Sequence, residues 1–575
     1  MPVSCTSNPG PAAKAARLEP RPSRVGRWRA LVLVLVHVAI ALHVWHWYAT
    51  GSTLSPLEPS ESMAFSQRGI VNAGLIFFAL AILSTLVFGR WFCGWACHLV
   101  AVQDGARWLL ARFGIHPRPL RLGLLASVPW IAFVYMFLSP PVLRALEGSG
   151  LAPAGTHLMT EQFWKTFPPW PIAVLSVLVC GGAIVWLLGA KGFCTYGCPY
   201  GAIFGIADQF APLRIRVDEN CEHCGHCTTA CSSNVNVSQE VREWGTVVDP
   251  GCMKCGDCVS VCPKEALHVA WGAPALLTRA REPAPRARRN GLARALLLLA
   301  FMFGAYTLLH AYDGRYGAYM LELDATLWKL IAVLASASFA IALLLRGKSR
   351  HVQEASFAEE CVLGASFLAA LFAFRGLRGS TPLLLSFAIA AMLSYLALSS
   401  WRLLRRADLS WKNLRLKRAG RLTRAGVLFA LAALLAAAGT AAAGLEQRRS
   451  TLEWNGRRLE ALRAYDQGVA RANAQDPAGA VPLFQRALEL DPQFLAALEN
   501  LAGMLCATGR FRDGLELYDR ALEIDAHDPA THVLAAQAAL GLNDAALARR
   551  HLEQALALRP GMPEAQSLLQ ALDRH

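Results

Sequence analysis

Hydrophobic residues in this chain fall into long runs that are separated by polar stretches. A helix that crosses a bilayer needs about 20 predominantly apolar residues. Nine runs reach or approach that length and predict membrane-spanning helices, at 28–49, 70–89, 120–138, 171–190, 291–312, 325–345, 361–374, 383–400 and 425–444. The seventh run is short, so the predicted count of nine depends on it. The pattern therefore predicts a polytopic helical membrane protein.

Beyond the last apolar run, residues 452–575 are amphipathic and rich in Ala and Leu. Ala487, Ala521 and Ala555 recur at intervals of 34 residues, and two further sets of apolar positions keep the same interval, namely Phe484, Tyr518, Leu552 and Leu490, Ile524, Leu558. A period of 34 with small residues at close-packed positions resembles the tetratricopeptide repeat (TPR), in which helix pairs stack into an α-solenoid. This part is therefore predicted to bind a protein partner.

Composition and charge agree with a membrane location. The chain of 575 residues is 54% hydrophobic and only 17% charged, which is too apolar for an ordinary soluble protein of this length. Its formal net charge is +15, but the basic residues cluster beside the apolar runs, so we interpret them as topology signals and predict no nucleic-acid partner.

The positions of the basic clusters predict the orientation of the spans. Arginine and lysine concentrate before the first run and after the second, sixth and eighth runs, and the positive-inside rule places those loops in the cytoplasm. With nine spans, residues 452–575 lie in the periplasm. Without the seventh span, they would lie in the cytoplasm.

Two cysteine runs lie between the fourth and fifth apolar runs. Both have the spacing C-x2-C-x2-C-x3-C, and they comprise Cys221, Cys224, Cys227, Cys231 and Cys252, Cys255, Cys258, Cys262. This is the spacing of two-cluster ferredoxins, in which three cysteines wrap one cluster and the fourth reaches the other. One [4Fe–4S] cluster is thus predicted on Cys221, Cys224, Cys227 and Cys262, and a second on Cys252, Cys255, Cys258 and Cys231. Structural zinc is the alternative, but zinc needs fewer thiolates.

Glycines and histidines inside the two runs carry further predictions. Gly225 and Gly256 occupy matching positions, where the backbone must turn close to a cluster. His223 and His226 are predicted to be solvated and not ligands, because four thiols are already available for each cluster. The insert is predicted to be a small ferredoxin-like α+β domain.

Two further cysteine pairs follow the second and fourth apolar runs. Cys93 and Cys97 form one Cys-x-x-x-Cys elbow, and Cys194 and Cys198 form the other. Both elbows begin with a basic residue and an aromatic residue, and both leave the membrane on the predicted cytoplasmic side. Four thiolates can hold an iron–sulfur cluster or a soft metal such as copper(I) or zinc. Redox-active cysteine pairs and simple packing at helix ends are the other interpretations.

The two elbows followed by the two-cluster insert resemble the membrane polyferredoxins. That family includes the quinol-dehydrogenase-type proteins of periplasmic nitrate reduction, the membrane regulators of nitrous oxide respiration and the accessory protein of cbb3-type oxidase assembly. The resemblance covers residues 70–272, and it implies electron transfer at a bacterial cytoplasmic membrane. His98 stands where the family usually has proline, which leaves the chemistry of the first elbow open.

Four histidines lie in or near membrane spans. His37, His43 and His46 belong to the first run, and His310 lies at the end of the fifth. Ionisable residues in spans are candidates for function. A haem b held by two histidines, a quinone head-group site and an interfacial position without a special role are the three interpretations.

These observations give a mainly α fold with six parts. They are a disordered cytoplasmic arm (1–27), a membrane domain with the elbows (28–212), the ferredoxin-like domain (213–272), a linker (273–290), five further spans (291–445) and the TPR solenoid (452–575). The first functional hypothesis is an electron relay between a quinol or cytoplasmic donor and a partner redox protein. The alternatives are a copper-handling or oxidase-assembly reductase, and a non-redox scaffold that uses the repeats. Membrane lipid is an expected partner, and whether the chain is itself an enzyme stays open.

Overall fold

The structure is a computed structural model. It describes residues 19–115, 117, 122–148, 150, 154–161, 163, 168–281, 291–313, 318–319, 323–346, 355–377, 381–525, 528–559 and 561–573. Most of these residues are helical, which confirms the mainly α prediction. The chain divides into two compact units, Met1–Gln447 and Arg448–His575.

Eight helices among the described residues are long and apolar enough to cross a membrane. They are Val25–Thr50, Leu124–Leu146, Trp170–Leu188, Gly291–Ala311, Ala325–Leu343, Phe357–Phe374, Leu383–Arg405 and Arg424–Asn473. The seventh predicted span, on which the count depended, is the 18-residue helix Phe357–Phe374, whose N-terminus carries a capping box between Ser356 and Glu359. The predicted count of nine spans nevertheless exceeds by one the eight helices found among the described residues.

The difference lies in the second predicted span. Its helix, Ala73–Phe88, has 16 residues, which falls just below the usual spanning range. Asn72 caps the N-terminus by accepting a hydrogen bond from the Leu75 amide at 2.8 Å, and Gly89 ends the helix with a positive φ. The helix is short because residues predicted as its start form strand Ile70–Val71 instead. A side chain at Gly74 would collide with Glu61 of the preceding 3-10 turn, Pro59–Ser62.

The third and fourth spans each contain a π-helical segment, Val134–Leu138 and Val177–Ala183. The fourth span packs through its π segment against helix His98–Arg112, where a Cβ on Gly181 would collide with Val102. Short helices complete this region, at Met63–Arg68, Trp91–Trp95, Gly192–Tyr196 and Pro199–Phe210. The largest apolar core of the unit joins the third to the eighth predicted spans through residues such as Ile131, Ile184 and Phe367.

The ferredoxin-like insert has the predicted α+β character. Strands Leu213–Val217 and Leu267–Trp271 pair antiparallel, with Leu213 opposite Trp271 and Val217 opposite Leu267. Between them lie helices His226–Ala230, Val237–Trp244 and Asp257–Ser260. The turn Ala275–Leu277 follows the second strand, so the first part of the predicted linker, residues 273–281, has a defined structure. The rest of the predicted linker, residues 282–290, lies outside the described residues.

Short antiparallel strands join loops at the ends of the membrane helices. Thr53–Leu54 pairs with Met159–Thr160, and Tyr312–Asp313 pairs with Ala318–Tyr319. A three-stranded meander, Leu409–Trp411, Leu414–Arg418 and Arg421–Leu422, connects the last two spans. Strand Ile70–Val71 pairs in parallel with Gly155–Thr156.

The predicted disordered arm is partly wrong. Residues 1–18 lie outside the described residues, but residues 19–27 have defined contacts, and the first membrane helix begins at Val25. The Arg21 amide donates to the Val261 carbonyl at 3.2 Å. The sequence of residues 19–27 is rich in Pro and Arg, and the partner lies more than 200 residues away, so local composition could not reveal the contact.

The second unit consists of helix pairs. The 50-residue helix Arg424–Asn473 runs into it, followed by Pro477–Leu490, Leu495–Ala507, Phe511–Ile524, Pro529–Gly541, Ala545–Leu558 and Pro563–Leu572. Ala487, Ala521 and Ala555 are fully buried, as the 34-residue period predicts for positions at which two helices approach closely.

Candidate functional site

The two cysteine runs of the insert fold in the same way. In each run, a loop carries the first two cysteines and the third lies in the first turn of a short helix, His226–Ala230 or Asp257–Ser260. Gly225 and Gly256 precede these helices with φ of 81° and 80°, so the backbone does turn at both predicted glycines, and it does so in the left-handed conformation that favours glycine. His223 and Lys254 also match, with φ of 53° and 51°. The two loops therefore share one backbone shape.

The fold sorts the eight insert thiols into two sets. Cys221 interacts electrostatically with Cys262 and Cys224, and Cys227 interacts with Cys221 and Cys224. We call these four the outer thiol set. Cys258 interacts most strongly with the other three members of the inner thiol set, which are Cys255, Cys231 and Cys252, and less strongly with Cys227 of the outer set. The last cysteine of each run thus joins the set of the other run, in the arrangement that the spacing predicts.

The two sets differ in exposure. All four inner cysteines are buried, whereas Cys221, Cys224, Cys227 and Cys262 are half-buried and line a cavity together with Val241 and Leu267. Burial raises the pKa of Cys231 to about 12, and the nearby thiols of Cys255 and Cys252 add to that rise. No disulfide links cysteines in the part of the chain that the structure describes. Crowded, unpaired sulfur donors of this kind fit an iron–sulfur cluster.

The two elbows are also built alike. Each begins with a five-residue helix, Trp91–Trp95 or Gly192–Tyr196, that carries the first cysteine. The second cysteine of each elbow, Cys97 or Cys198, is the N-cap of the next helix. The sequence likeness of the elbows therefore corresponds to a shared local structure.

The fold brings the four elbow thiols together. Cys198 interacts electrostatically with Cys194, Cys97 and Cys93. Burial raises the pKa of Cys97 to about 12, with Cys194 and Cys93 adding to the rise. Two elbows that are far apart in sequence thus form one sulfur-rich site. Simple packing at helix ends, the other interpretation of the elbows, would not need all four cysteines in one place.

Buried polar side chains surround the elbow thiols. Arg90 and Lys191 are only 5% and 1% exposed, and an Arg90 guanidinium nitrogen lies 3.8 Å from the Cys93 sulfur. The Gln103 amide donates to the Cys194 sulfur at 3.2 Å. Lys191 also pairs with Asp104. These positive charges offset the negative charge that metal-bound thiolates would carry. Gln103 and Asp104 were not predicted, although two adjacent polar residues in an apolar helix were a visible signal.

The first elbow contacts the second cysteine run directly. A Cβ on Gly94 would collide with the Met253 carbonyl oxygen and would lie 3.5 Å from the Cys255 Cα. The Trp95 indole donates to the Lys254 carbonyl at 3.1 Å. The inner thiol set therefore lies beside the elbow, and the outer set is the more exposed of the two.

A buried carboxylate fixes this contact. Asp208 has no exposed surface, and it accepts hydrogen bonds from Lys254 Nζ at 2.7 Å and Arg214 Nη2 at 3.1 Å. It also accepts from the Arg90 amide at 3.1 Å. Burial alone would raise the pKa of Asp208, but the Lys254 and Arg214 cations hold it below its usual value. One ionised carboxylate therefore joins the insert to the first elbow.

Each of the four predicted histidines has its own hydrogen-bond partner. The His37 ring hydrogen-bonds to the Leu33 carbonyl, His43 to the Leu54 carbonyl, His46 to the Thr53 hydroxyl and His310 to the Ser139 hydroxyl. Each ring thus has a partner within the protein, which favours the interfacial interpretation. Axial ligation of a haem stays a prediction without support from these contacts.

Comparison with known protein families assigns both sulfur-rich regions to iron–sulfur domains. A family model described as a 4Fe-4S binding domain matches residues 72–116 and 170–217, which include both elbows. A family model described as a 4Fe-4S dicluster domain matches residues 220–267, which include both insert runs. A tetratricopeptide repeat family model matches residues 471–540 and 505–572. This chain is similar to the polyferredoxin-type membrane proteins and carries C-terminal tetratricopeptide repeats.

Curated relatives agree with this assignment. The putative electron transport protein YccM of Escherichia coli (strain K12) is 25% identical over 248 residues, which cover 37% of this chain and 68% of YccM. The ferredoxin-type protein NapH of Haemophilus influenzae is 27% identical and covers 31% of this chain and 59% of NapH. The methylamine utilization ferredoxin-type protein MauN of Methylorubrum extorquens is 28% identical and covers 33% of this chain and 65% of MauN.

The chain spans about two thirds of the length of these relatives. This chain is therefore a membrane-bound iron–sulfur protein of the electron-transfer type. The conclusion rests on the two iron–sulfur family models, the apolar helices and the similarity to these relatives. The repeat domain adds a module for protein–protein interaction.

Proposed function

We propose that this polyferredoxin relays single electrons between a quinol or cytoplasmic donor and a partner redox protein, through three sulfur sites in a row. Iron–sulfur clusters, when bound, supply one-electron chemistry with little rearrangement of their ligands. The observation that carries the proposal is the contact of Gly94 and Trp95 with Met253 and Lys254. This contact supports the order elbow thiols, inner thiol set, outer thiol set.

The ligands follow from the thiol sets. Cys221, Cys224, Cys227 and Cys262 would hold the outer cluster, and Cys231, Cys252, Cys255 and Cys258 the inner one. The proposal is supported by the separate grouping of the two sets and by the left-handed turns at Gly225 and Gly256. The half-buried outer set is suited to exchange with a partner protein, because it lines a cavity at the surface of the insert.

The elbow thiols would hold a third cluster. Cys93, Cys97, Cys194 and Cys198 supply four sulfur donors, and the family model that covers both elbows is described as a 4Fe-4S binding domain. Arg90 and Lys191 support an anionic centre there, because a buried site with several thiolates needs positive charge nearby. The second candidate is copper(I), which also favours soft thiolate ligands.

Metal and sulfide analysis of the purified full-length protein tests these assignments. Three clusters require about twelve iron and about twelve sulfide per chain, and the variant C93S/C194S should retain about eight of each. C506S is the matched control, because Cys506 lies in the repeat unit. About eight iron with copper that is lost in C93S/C194S would favour metal handling. Zinc without sulfide would overturn the proposal and leave the scaffold hypothesis.

The donor is proposed to be a quinol that binds beside the elbows. His98, which follows Cys97, has its Nε2 atom 4.0 Å from Glu58 Oε1, and Ser60 donates to Glu58 Oε2 at 3.0 Å. The buried Tyr200 side chain lies beside the same Ser60 and Glu58 side chains. These groups could bind the hydroxyls of a quinol head group. E58Q and Y200F should therefore raise the quinol-analogue concentration needed for half-maximal reduction, whereas reduction by dithionite should not change.

The sidedness is proposed from loop charge and from contacts within the first unit. Lys412, in the meander after the eighth predicted span, donates to the Leu187 carbonyl at 3.3 Å, beside the second elbow. Gln447, at the end of the last span, donates to the Arg375 carbonyl at 3.5 Å, beyond the far end of helix Phe357–Phe374. These contacts support an insert in the cytoplasm and a chain that leaves the membrane into the periplasm at Gln447.

A further inference from the structure

Residues 21–29, which we call the N-terminal strap, lie against the second cysteine run. The Arg24 amide donates to the Ser260 hydroxyl at 3.0 Å, and the Ser23 hydroxyl lies 3.4 Å from Asp257 Oδ1. A Cβ on Gly256 would lie 3.1 Å from a Val25 methyl group. The strap thus covers the side of the loop that carries Cys255 and Cys258.

The strap ends in a buried arginine. Arg29 is 6% exposed, and its guanidinium bonds Asp257 Oδ2 at 2.9 Å and Asp104 Oδ2 at 2.9 Å. Asp257 lies in the second run, and Asp104 lies in the helix that follows the first elbow, where it also pairs with Lys191. One guanidinium therefore connects the two neighbouring sulfur sites.

The same network reaches the inner thiols. The Ser232 hydroxyl lies 3.4 Å from Asp257 Oδ2 and 3.6 Å from the Cys255 sulfur. Arg29 is also close enough to Cys255 to interact with it electrostatically. A charge on Arg29 or Asp257 is thus felt at the inner set, where burial leaves little water to screen it.

The outer set has a different environment at the matching positions. His226, which is half-buried, corresponds to Asp257. His223, which is exposed, corresponds to Lys254. The two cysteine runs share a backbone shape, so the inner site is distinguished by its deeper burial and by the buried charges beside it. The outer site therefore serves as an internal reference.

We propose that Arg29 is a positioning residue that raises the reduction potential of the centre held by the inner thiol set, and that Asp257 opposes it. A buried positive charge stabilises the state with one more electron, whereas a buried carboxylate favours the state with one fewer. The inference rests on the proposed function, because it requires a cluster at each set.

A redox titration of the full-length protein with dithionite, followed by electron paramagnetic resonance, tests this role. R29Q should shift the midpoint potential of the inner centre to a more negative value, and D257N should shift it to a more positive value. In D257N, Arg29 keeps Asp104 as its partner. R29K keeps the charge and should shift the potential less than R29Q. The outer centre should not move in any variant, and R68Q, which changes an exposed arginine, is the control.

Iron and sulfide content is measured on each variant before the titration. Wild-type protein without sulfide would overturn the proposed function itself. Three results at full cluster content would overturn the role of Arg29 alone. The midpoint potential could shift with the same sign in R29Q and D257N, it could shift equally at both centres, or it could stay unchanged. If R29Q fails to incorporate clusters, the positive shift in D257N and its absence in R68Q still decide the question.

Discussion

At the scale of single residues, the crossover of Cys231 and Cys262 ties the two cysteine runs together. Each of these cysteines lies at the end of one run and interacts with thiols of the other. Each of the two cysteines therefore groups with the thiols of the other run and not with those of its own run. This arrangement makes the effect of a single substitution specific and testable.

Replacing Cys262 by serine should damage the outer centre and spare the inner one. The reason is that Cys262 interacts with Cys221 of the first run, although it follows Cys258 in sequence. Electron paramagnetic resonance of the purified variant measures the two signals separately. C231S is the matched control and should show the reverse loss. Loss of the inner signal in C262S would contradict the crossover.

A second residue-scale prediction concerns the elbows. If Cys93 and Cys194 belong to one site, C93S, C194S and the double variant should show similar losses of quinol-dependent reduction, because members of one site are not additive. Initial rates measure this. Rates of the double variant equal to the product of the two single effects would mean that the elbows are independent.

The sequence indicated which cysteines lie together but not the polar and charged side chains around them. Cysteine spacing is local, so the two runs and the two elbows were visible without any fold. Arg29, Gln103 and Asp208 each have a partner that lies between 46 and 228 residues away. No local pattern marks Arg29 or Asp208, because a buried ion pair is defined by tertiary packing. Gln103 does have a local signal, since it adjoins Asp104 in an apolar helix.

At the scale of secondary-structure elements, the short helix Trp91–Trp95 fixes how the insert meets the membrane domain. Gly94 allows the Met253 carbonyl to approach its backbone, and any side chain there would collide. A glycine in a helix normally costs stability relative to alanine. Here close approach requires it.

Replacing Gly94 by alanine should therefore loosen the insert, at a cost of about 1–3 kcal/mol, which is typical of overpacking. Limited proteolysis in detergent should cut the insert faster in G94A than in the wild type. G105A is the matched control, because Gly105 lies in the next helix and a Cβ added there would meet nothing within 4 Å. Equal cutting rates in G94A and G105A would show that the close approach does not hold the insert.

Element boundaries were the least predictable part of the fold. The second apolar run was predicted as a 20-residue span at 70–89, but Asn72 caps its helix and the first residues pair as a strand. The last span was predicted to end at residue 444, yet its helix continues to Asn473. Hydropathy shows where a run of apolar residues ends. A helix can end earlier at a capping residue, or continue further where no cap or proline stops it.

At the scale of the whole molecule, a membrane unit with three sulfur sites is joined to a repeat unit by one continuous helix, Arg424–Asn473. The repeat period and the apolar runs were both readable from the sequence, because each is a regular pattern over many residues. Orientation in the membrane is a different kind of property, since it depends on the number of spans. Two short helices, Ala73–Phe88 and Phe357–Phe374, decide it, and only the second affects which side the repeats share with the insert.

The last prediction is that the chain after Gln447 lies in the periplasm. Helix Phe357–Phe374 has 18 residues and a mean hydropathy high enough to span, so the basic meander 406–423 stays on the side of the elbows. An alkaline-phosphatase fusion after His575 should therefore be active, and a green-fluorescent fusion at the same site should be dark. Truncated fusions that end at Arg281 are the control and should give the opposite pair of results, because the insert is proposed to be cytoplasmic. A fluorescent fusion after His575 would mean that Phe357–Phe374 does not cross, and that the iron–sulfur insert and the repeats share one compartment.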